Sequence, residues 1–360
     1  GASAFKGCSS IKSIDIPPLV ESIPYQAFAE CKSLKTITIP SSIKKIYWLA
    51  FEGCSSLIEI SIDPMETITE NDSFERCNSL NRMFISTEKT IIKRINMKPF
   101  RFIEEITISQ SVTCIDEFAF CGCKSLKKIL IPESVIRIGP SAFCECTSLL
   151  SINIPSSVTS IENNTFSDCA SLSEFSMSPK VISIGDSAFN CSLLETIIIP
   201  QSINYIGVSA FFGCGFLKQI SIPSSIQIIE DSTFNGCSSL EEIEISPSIS
   251  SIGWFSFKGC SSLTKIIIPS SIKSIKKSLF YGCSLLEEIT IPSSVISIGE
   301  SSFKNCTSLK EISLPASITS IEKETFSGCS SIKHISIPSC VTFIGESSFE
   351  KCKSLDDISI

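Results

Sequence analysis

Cysteine recurs along this chain with a nearly constant step of 23 residues. It stands at Cys8, Cys31, Cys54 and Cys77, skips position 100, and resumes at Cys123, Cys146 and Cys169. After one step of 22 it continues from Cys191 and Cys214 to Cys352. Fifteen of sixteen slots hold Cys, and Phe100 fills the other. Three residues after each slot comes Leu or Ile, as at Leu34, Leu126 and Leu309. Ile-x-Ile follows, as at Ile37 and Ile39 or Ile289 and Ile291, and then usually Pro (Pro40, Pro132, Pro292). Ile or Val and a further Ile come next, as at Ile43 and Ile46 or Val295 and Ile298. Phe closes the unit from Phe5 to Phe349, with Met97 as the one exception.

A repeat this short settles the class of fold. Ile-x-Ile is strand alternation by β-branched residues. The Pro after it has no N–H to give, so it ends the strand and turns the chain. One unit has about seven large apolar side chains and cannot enclose them alone. Their burial is worth roughly 1.5–3 kcal/mol each, against roughly 1–2 kcal/mol of backbone entropy per ordered residue. Stacking equivalent units shares the core between neighbours. The period therefore predicts one solenoid over residues 1–360, of about sixteen coils, rather than separate globules.

The order Phe, Cys, Leu, Ile-x-Ile resembles the leucine-rich repeat, with Pro near the place of the usual capping Asn or Cys. Ile291–Leu309, which reads IPSSVISIGESSFKNCTSL, is similar to the BspA-like subfamily. The resemblance covers nearly the whole chain. It implies a curved right-handed horseshoe, mostly strand and loop with short turns or 3-10 segments, with a parallel sheet on its concave face. It also implies a surface or secreted protein of mucosal bacteria or protozoan parasites that adheres to host proteins, glycans or cells. The chain begins at a Phe–Cys turn and ends at Ile360 without visible polar caps, which reads as a fragment of a longer protein.

Composition narrows the function. A hydrophobic fraction of 43% excludes a disordered chain. A net charge of −7 argues against nucleic acid or an anionic membrane as the main partner. The apolar runs are too short to span a bilayer. The one His, His334, has no thiol or carboxylate spaced for a triad. No catalytic residue, cofactor or metal is assigned. A cytoplasmic interaction scaffold is the alternative to a surface adhesin. Asn71, Asn163, Asn190 and Asn305 lie in glycosylation sequons, which are frequent by accident in a Ser-rich chain.

The cysteine column reads as small apolar filler of a narrow corner. Cys114, Cys121, Cys144 and Cys340 stand outside it. Cys121 and Cys144 are one repeat apart in a turn near the surface, so they stack and are candidates for a disulfide. The pairs Cys121/Cys123 and Cys144/Cys146 also mimic a four-thiolate zinc site, although Cys123 and Cys146 belong to the column.

Residues flanking Ile-x-Ile must point outward, onto the concave face. They vary while the interior does not, as in a binding surface or in ordinary solvent-facing drift. Glu242, Glu244, Glu288 and Glu311 form an acidic stretch around Lys265, suited to a basic partner or to weak Ca²⁺ binding. Phe84, Leu130, Ile198 and Ile267 place apolar groups on the same face. Tyr25, Tyr47 and Trp48 fall at adjacent phases and form a convex aromatic patch, either for a partner or for local packing. Residues 63–100 break the rule most: Pro64 comes late, the Val position is lost, and Lys89, Lys93, Arg94 and Lys98 gather there beside Arg101. A kink or widened loop is expected in that stretch.

Overall fold

The computed structural model describes residues 1–359. A typical coil carries a strand of three or four residues on Ile-x-Ile, a turn at Pro, a two-residue strand at the next Ile, and a series of turns around Phe and Cys. The single helical element among the described residues is the 3-10 turn Lys98–Phe100. Strands pair in parallel and in register one repeat apart, as Ile37 with Ile60 and Ile289 with Ile312. The fold is the parallel-strand solenoid that the period predicts. Ile37 and Ile39 point inward while Thr36 and Thr38 are exposed.

The chain packs as two compact units, Gly1–Val158 with Cys169–Glu174, and Thr159–Asp168 with Phe175 onward. In the first, six long strands from Thr36–Thr38 to Ser151–Asn153 form one sheet. Its short strands form two separate sheets. One holds Ser22–Ile23, Lys45–Ile46 and Ile68–Thr69; the other holds Ile91–Ile92, Cys114–Ile115 and Arg137–Ile138. In the second unit, five long strands from Gln219–Ser221 to Glu311–Ser313 form one sheet, and His334–Ser336 pairs with Asp357–Ser359.

The interior is a set of columns. In the second unit the rings of Phe189, Phe211, Phe234, Phe257 and Phe280 stack 5.5–5.8 Å apart, and all five are fully buried. The Phe turn is reversed by residues in the left-handed region on both sides, as at Ser232 (φ 56°) and Gly236 (φ 79°) around Phe234. The cysteines do more than fill a corner. Most column thiols donate to the carbonyl of the Phe in the preceding coil: Cys54 to Phe28 at 3.1 Å, Cys237 to Phe211 at 3.2 Å, Cys306 to Phe280 at 3.1 Å. The Phe28 carbonyl also accepts the Cys31 N–H at 3.2 Å, so both lone pairs of a buried oxygen are used. A small side chain with a weak donor is what this position requires. A Ser hydroxyl in the Pro turn bridges coils in the same way, as Ser294 to Ile272 O at 2.8 Å. Cys340 takes that Ser position and donates to Ile318 O at 2.9 Å.

A glycine rule governs the short strands of the second unit. Where Gly follows the strand (Gly185, Gly207, Gly253, Gly299, Gly345), that strand pairs with the preceding one. Where Glu230, Lys276 or Glu322 stands there, the pairing is absent. At Gly299 an added Cβ would lie 2.8 Å from the Lys277 nitrogen and 3.0 Å from the Lys276 carbonyl carbon, both backbone atoms. At this spacing a Cβ has no room, although in the first unit the strands followed by Tyr47, Glu70 and Asp116 also pair with their predecessors.

The expected irregularity at residues 63–100 is a change of packing partner together with a broken ladder. Met97 leaves the Phe column half-exposed, and Phe100, from the cysteine slot, is buried in its place. Its ring lies 5.7 Å from Phe74 but is tilted by 40°. The short-strand sheet stops between Ile68–Thr69 and Ile91–Ile92.

Candidate interaction site

Register turns the outward residues into rows. In the first unit Glu59, Arg82, Glu105 and Lys128 stand directly opposite one another in sequence order, so charge alternates from rung to rung. Opposite charges across neighbouring strands are favourable. Beside this row Lys127 pairs with Glu104 at 2.8 Å.

In the second unit Glu242, Lys265, Glu288 and Glu311 are brought into one row, and Glu244 stands next to Ser221 in the adjacent row. Lys265 sits between Glu242 and Glu288, while Glu288 and Glu311 are direct neighbours. Among the described residues no group of three or more His, Cys, Asp or Glu side chains is arranged to hold a metal ion, so the structure does not support the Ca²⁺ reading of this stretch.

The apolar candidates do not form one patch. Phe84 is half-buried, and Thr107 separates it from Leu130, which is 52% exposed. In the second unit Ile198 and Ile267 are exposed, with the Ser221 and Glu244 rungs between them.

Tyr25 and Trp48 do come together, with ring centroids 5.0 Å apart. Trp48 is 52% exposed, and its backbone N–H donates to the Glu70 carboxylate at 2.9 Å. Tyr47 lies under the Lys45 ammonium at 4.3 Å, and Lys45 in turn pairs with Glu70 at 2.9 Å. The patch is therefore a tilted aromatic pair joined to a cation–π–carboxylate chain.

Cys121 and Cys144 lie in disulfide contact, with Cα atoms 4.7 Å apart. Cys146 donates to the Phe120 carbonyl and Cys123 is buried, so no four-thiolate site forms. Burial pushes the Cys31 and Cys214 thiols up to about 11, and carries Cys237 and Cys283 well above the ordinary thiol range. His334 is exposed and pairs with Asp357 at 2.7 Å.

The irregular stretch holds two concavities. One, of about 690 Å³, is lined by Pro64–Thr69 on one side and by Lys89, Ile91, Lys93, Arg94 and Asn96 on the other, with Phe100 also in its wall. A second, of about 600 Å³, shares Arg94, Asn96 and Phe100 and reaches Lys98, Arg101 and Lys124. The basic cluster was visible in sequence. The participation of Lys124 and of Thr69, whose buried hydroxyl has no partner, was not. No helix among the described residues is long and apolar enough to cross a membrane.

The sequence pattern described as the BspA type leucine rich repeat region (6 copies) matches residues 1–102, 96–216, 205–295 and 273–360. The chain belongs to the BspA-type leucine-rich-repeat family. Among solved structures it is similar to a leucine-rich repeat protein from Bacteroides ovatus, at 28% identity over 92% of this chain and 91% of that one, with a TM-score of 0.59. It shares its fold with the pneumococcal vaccine antigen PcpA, at 20% identity over 91% of this chain and 89% of that one, with a TM-score of 0.50. A leucine rich cell surface protein from Faecalibacterium prausnitzii matches at 23% identity over 97% and 87% of the two chains, with a TM-score of 0.48. No curated protein matches the sequence. The BspA-type coil supplies an interaction scaffold, with its constant letters inside and its changeable ones outside.

Proposed function

We propose that this chain is a non-enzymatic adhesion scaffold, exposed at the cell surface or secreted, that binds proteins or glycans of another cell or of host matrix. The observation that carries this reading is the contrast between columns and rows. Phe, Cys, Leu and Ile are kept coil after coil inside, while the strand-flanking residues vary in charge, size and polarity along the rows. That pattern spends sequence variety only where a partner can touch it. Membership of the BspA-type family supports the scaffold role. The contact of Cys121 with Cys144 in a half-buried turn supports an oxidising location, because such bonds persist outside the cytosol. Twelve buried free thiols favour the rival reading, a cytoplasmic scaffold.

Surface labelling of intact cells expressing the natural full-length protein separates the two. Labelling by an antibody or a membrane-impermeant reagent before lysis is the expected result. Labelling only after permeabilisation excludes the adhesin reading and leaves the cytoplasmic one.

A further inference from the structure

The split between the short-strand sheets of the first unit has a definite polarity. Ile68 N–H and Glu70 N–H donate backward, to Lys44 O at 3.0 Å and Ile46 O at 3.1 Å. Successive main-chain groups alternate sides along a strand, so the carbonyls of Thr67 and Thr69 face forward. On the other edge, Cys114 N–H and Asp116 N–H take the carbonyls of Thr90 and Ile92 at 3.0 and 2.8 Å. The N–H groups of Ile91 and Lys93 therefore face back toward Thr67 and Thr69. In a continuous ladder these groups would bond one another. Among the described residues they do not, and Lys93 N–H meets only the Met65 sulfur, at 3.4 Å. The larger cavity lies between these edges. The Thr69 hydroxyl in its wall is more than nine-tenths buried and unpartnered.

The charge around this opening is one-sided. Lys89, Lys93 and Arg94 line the first cavity, and Arg94, Lys98, Arg101 and Lys124 the neighbouring one that shares its Arg94, Asn96 and Phe100 wall, against the single carboxylate of Glu66. Lys89 pairs with Glu66 at 2.8 Å and Arg101 with Glu75 at 3.3 Å. The other four make no ion pair among the described residues, in a chain of net charge −7. Unspent cations beside unspent main-chain donors and acceptors call for a ligand that supplies both negative charge and an alternating row of carbonyls and N–H groups.

We propose that the groove between Ile68–Thr69 and Ile91–Ile92 docks an extended acidic polypeptide segment, which adds as a strand to the split sheet while Lys93, Arg94, Lys98 and Lys124 hold its carboxylates. Strand addition to an exposed edge is an established mode of peptide capture. An anionic glycan or a nucleic acid satisfies the cations but leaves the main-chain row unpaired, so the peptide is the better match. This names a partner class for the scaffold and rests on that reading. Its test uses purified chain, so it fails or succeeds apart from cell-surface labelling.

The probe is a fluorescein-labelled octapeptide alternating Glu with Val and Thr, followed by anisotropy. Three companions are the same peptide N-methylated at alternate residues, the same peptide with Gln for Glu, and a heparin hexasaccharide. The protein is the wild-type chain and the variant Lys93→Glu/Arg94→Glu/Lys98→Glu. All three side chains are exposed, and circular dichroism checks the fold. We expect the acidic peptide to bind wild type at least tenfold more tightly than the N-methylated or Gln peptide does. We also expect the triple variant to lose at least tenfold. Equal binding of the N-methylated peptide, tighter binding of heparin than of peptide, or no binding of the acidic peptide up to about 1 mM overturns the proposal.

Discussion

Gly299→Ala isolates the contact that decides whether two coils close. Gly299 does not have positive φ, so in an ordinary loop the substitution would stabilise by about 0.4–1 kcal/mol through the unfolded state. Here the new methyl would meet three backbone atoms of the preceding coil: Lys277 N at 2.8 Å, Lys276 C at 3.0 Å and Ile275 O at 3.2 Å. None belongs to a flexible side chain, so the coils must part. The short ladder between Ser274–Ile275 and Ser297–Ile298 then opens, as it already is where Lys276 or Glu322 replaces Gly. The bonds at risk include Gly299 N–H to Ile275 O at 2.8 Å and Ile296 N–H to Lys273 O at 2.9 Å. At about 0.5–1.5 kcal/mol for each hydrogen bond, two or three losses give about 1–4 kcal/mol. After the unfolded-state gain the net cost is about 1–3 kcal/mol. Urea unfolding should show a lowered midpoint, and hydrogen exchange should speed up over residues 294–301. The control is Gly215→Ala, whose new Cβ meets the Ser238 hydroxyl at 3.3 Å and the Gly213 carbonyl oxygen at an ordinary 3.9 Å and should be near neutral. If Gly299→Ala is as stable as wild type, with unchanged exchange, the close-approach argument is wrong.

Three further outcomes follow from the columns. Phe234→Ala removes a fully buried ring lying 5.8 Å from Phe211 and 5.7 Å from Phe257, and should cost about 3–5 kcal/mol in urea unfolding. The folded chain should hide most of its thiols. Aromatic disulfide reagent at pH 8 should titrate exposed Cys8 and Cys191 quickly and the twelve buried column thiols only after denaturant is added. Because burial raises these thiols in the folded state, to about 11 for Cys31 and Cys214, their stabilising contribution is complete below about pH 8.5 and is lost as pH rises toward 11. The urea midpoint should fall steeply over that window, and a flat profile would contradict the burial of the column. Glu324 has the opposite sign. Its hydrogen bonds with Lys304, at 2.7 Å, and with Ser301 hold its carboxyl below the usual range, so its contribution is present at neutral pH and lost as pH falls below about 4. Glu324→Gln should shrink the acid-side loss in midpoint relative to wild type.

What could be read along the chain is whatever repeats within one coil. Ile37 and Ile39, Pro40, Ile43 and Ile46, and Phe51 declare the strand, the turn, the second strand and the core ring, because alternation and period are local properties. The same arithmetic brought Cys121 beside Cys144 and Glu242 into line with Glu288. What only the folded molecule decided are relations between atoms 22 to 26 residues apart. The Cys54 thiol reaches the Phe28 carbonyl, Gly299 lies against Lys277, Phe100 packs beside Phe74 where Met97 was due, and the ladder fails between Thr69 and Ile91. A period states that coils stack but not how closely. That distance is settled by whether a Cβ meets a backbone atom across the gap, a matter of a few tenths of an ångström, and on it depend which main-chain groups are left free to meet a partner.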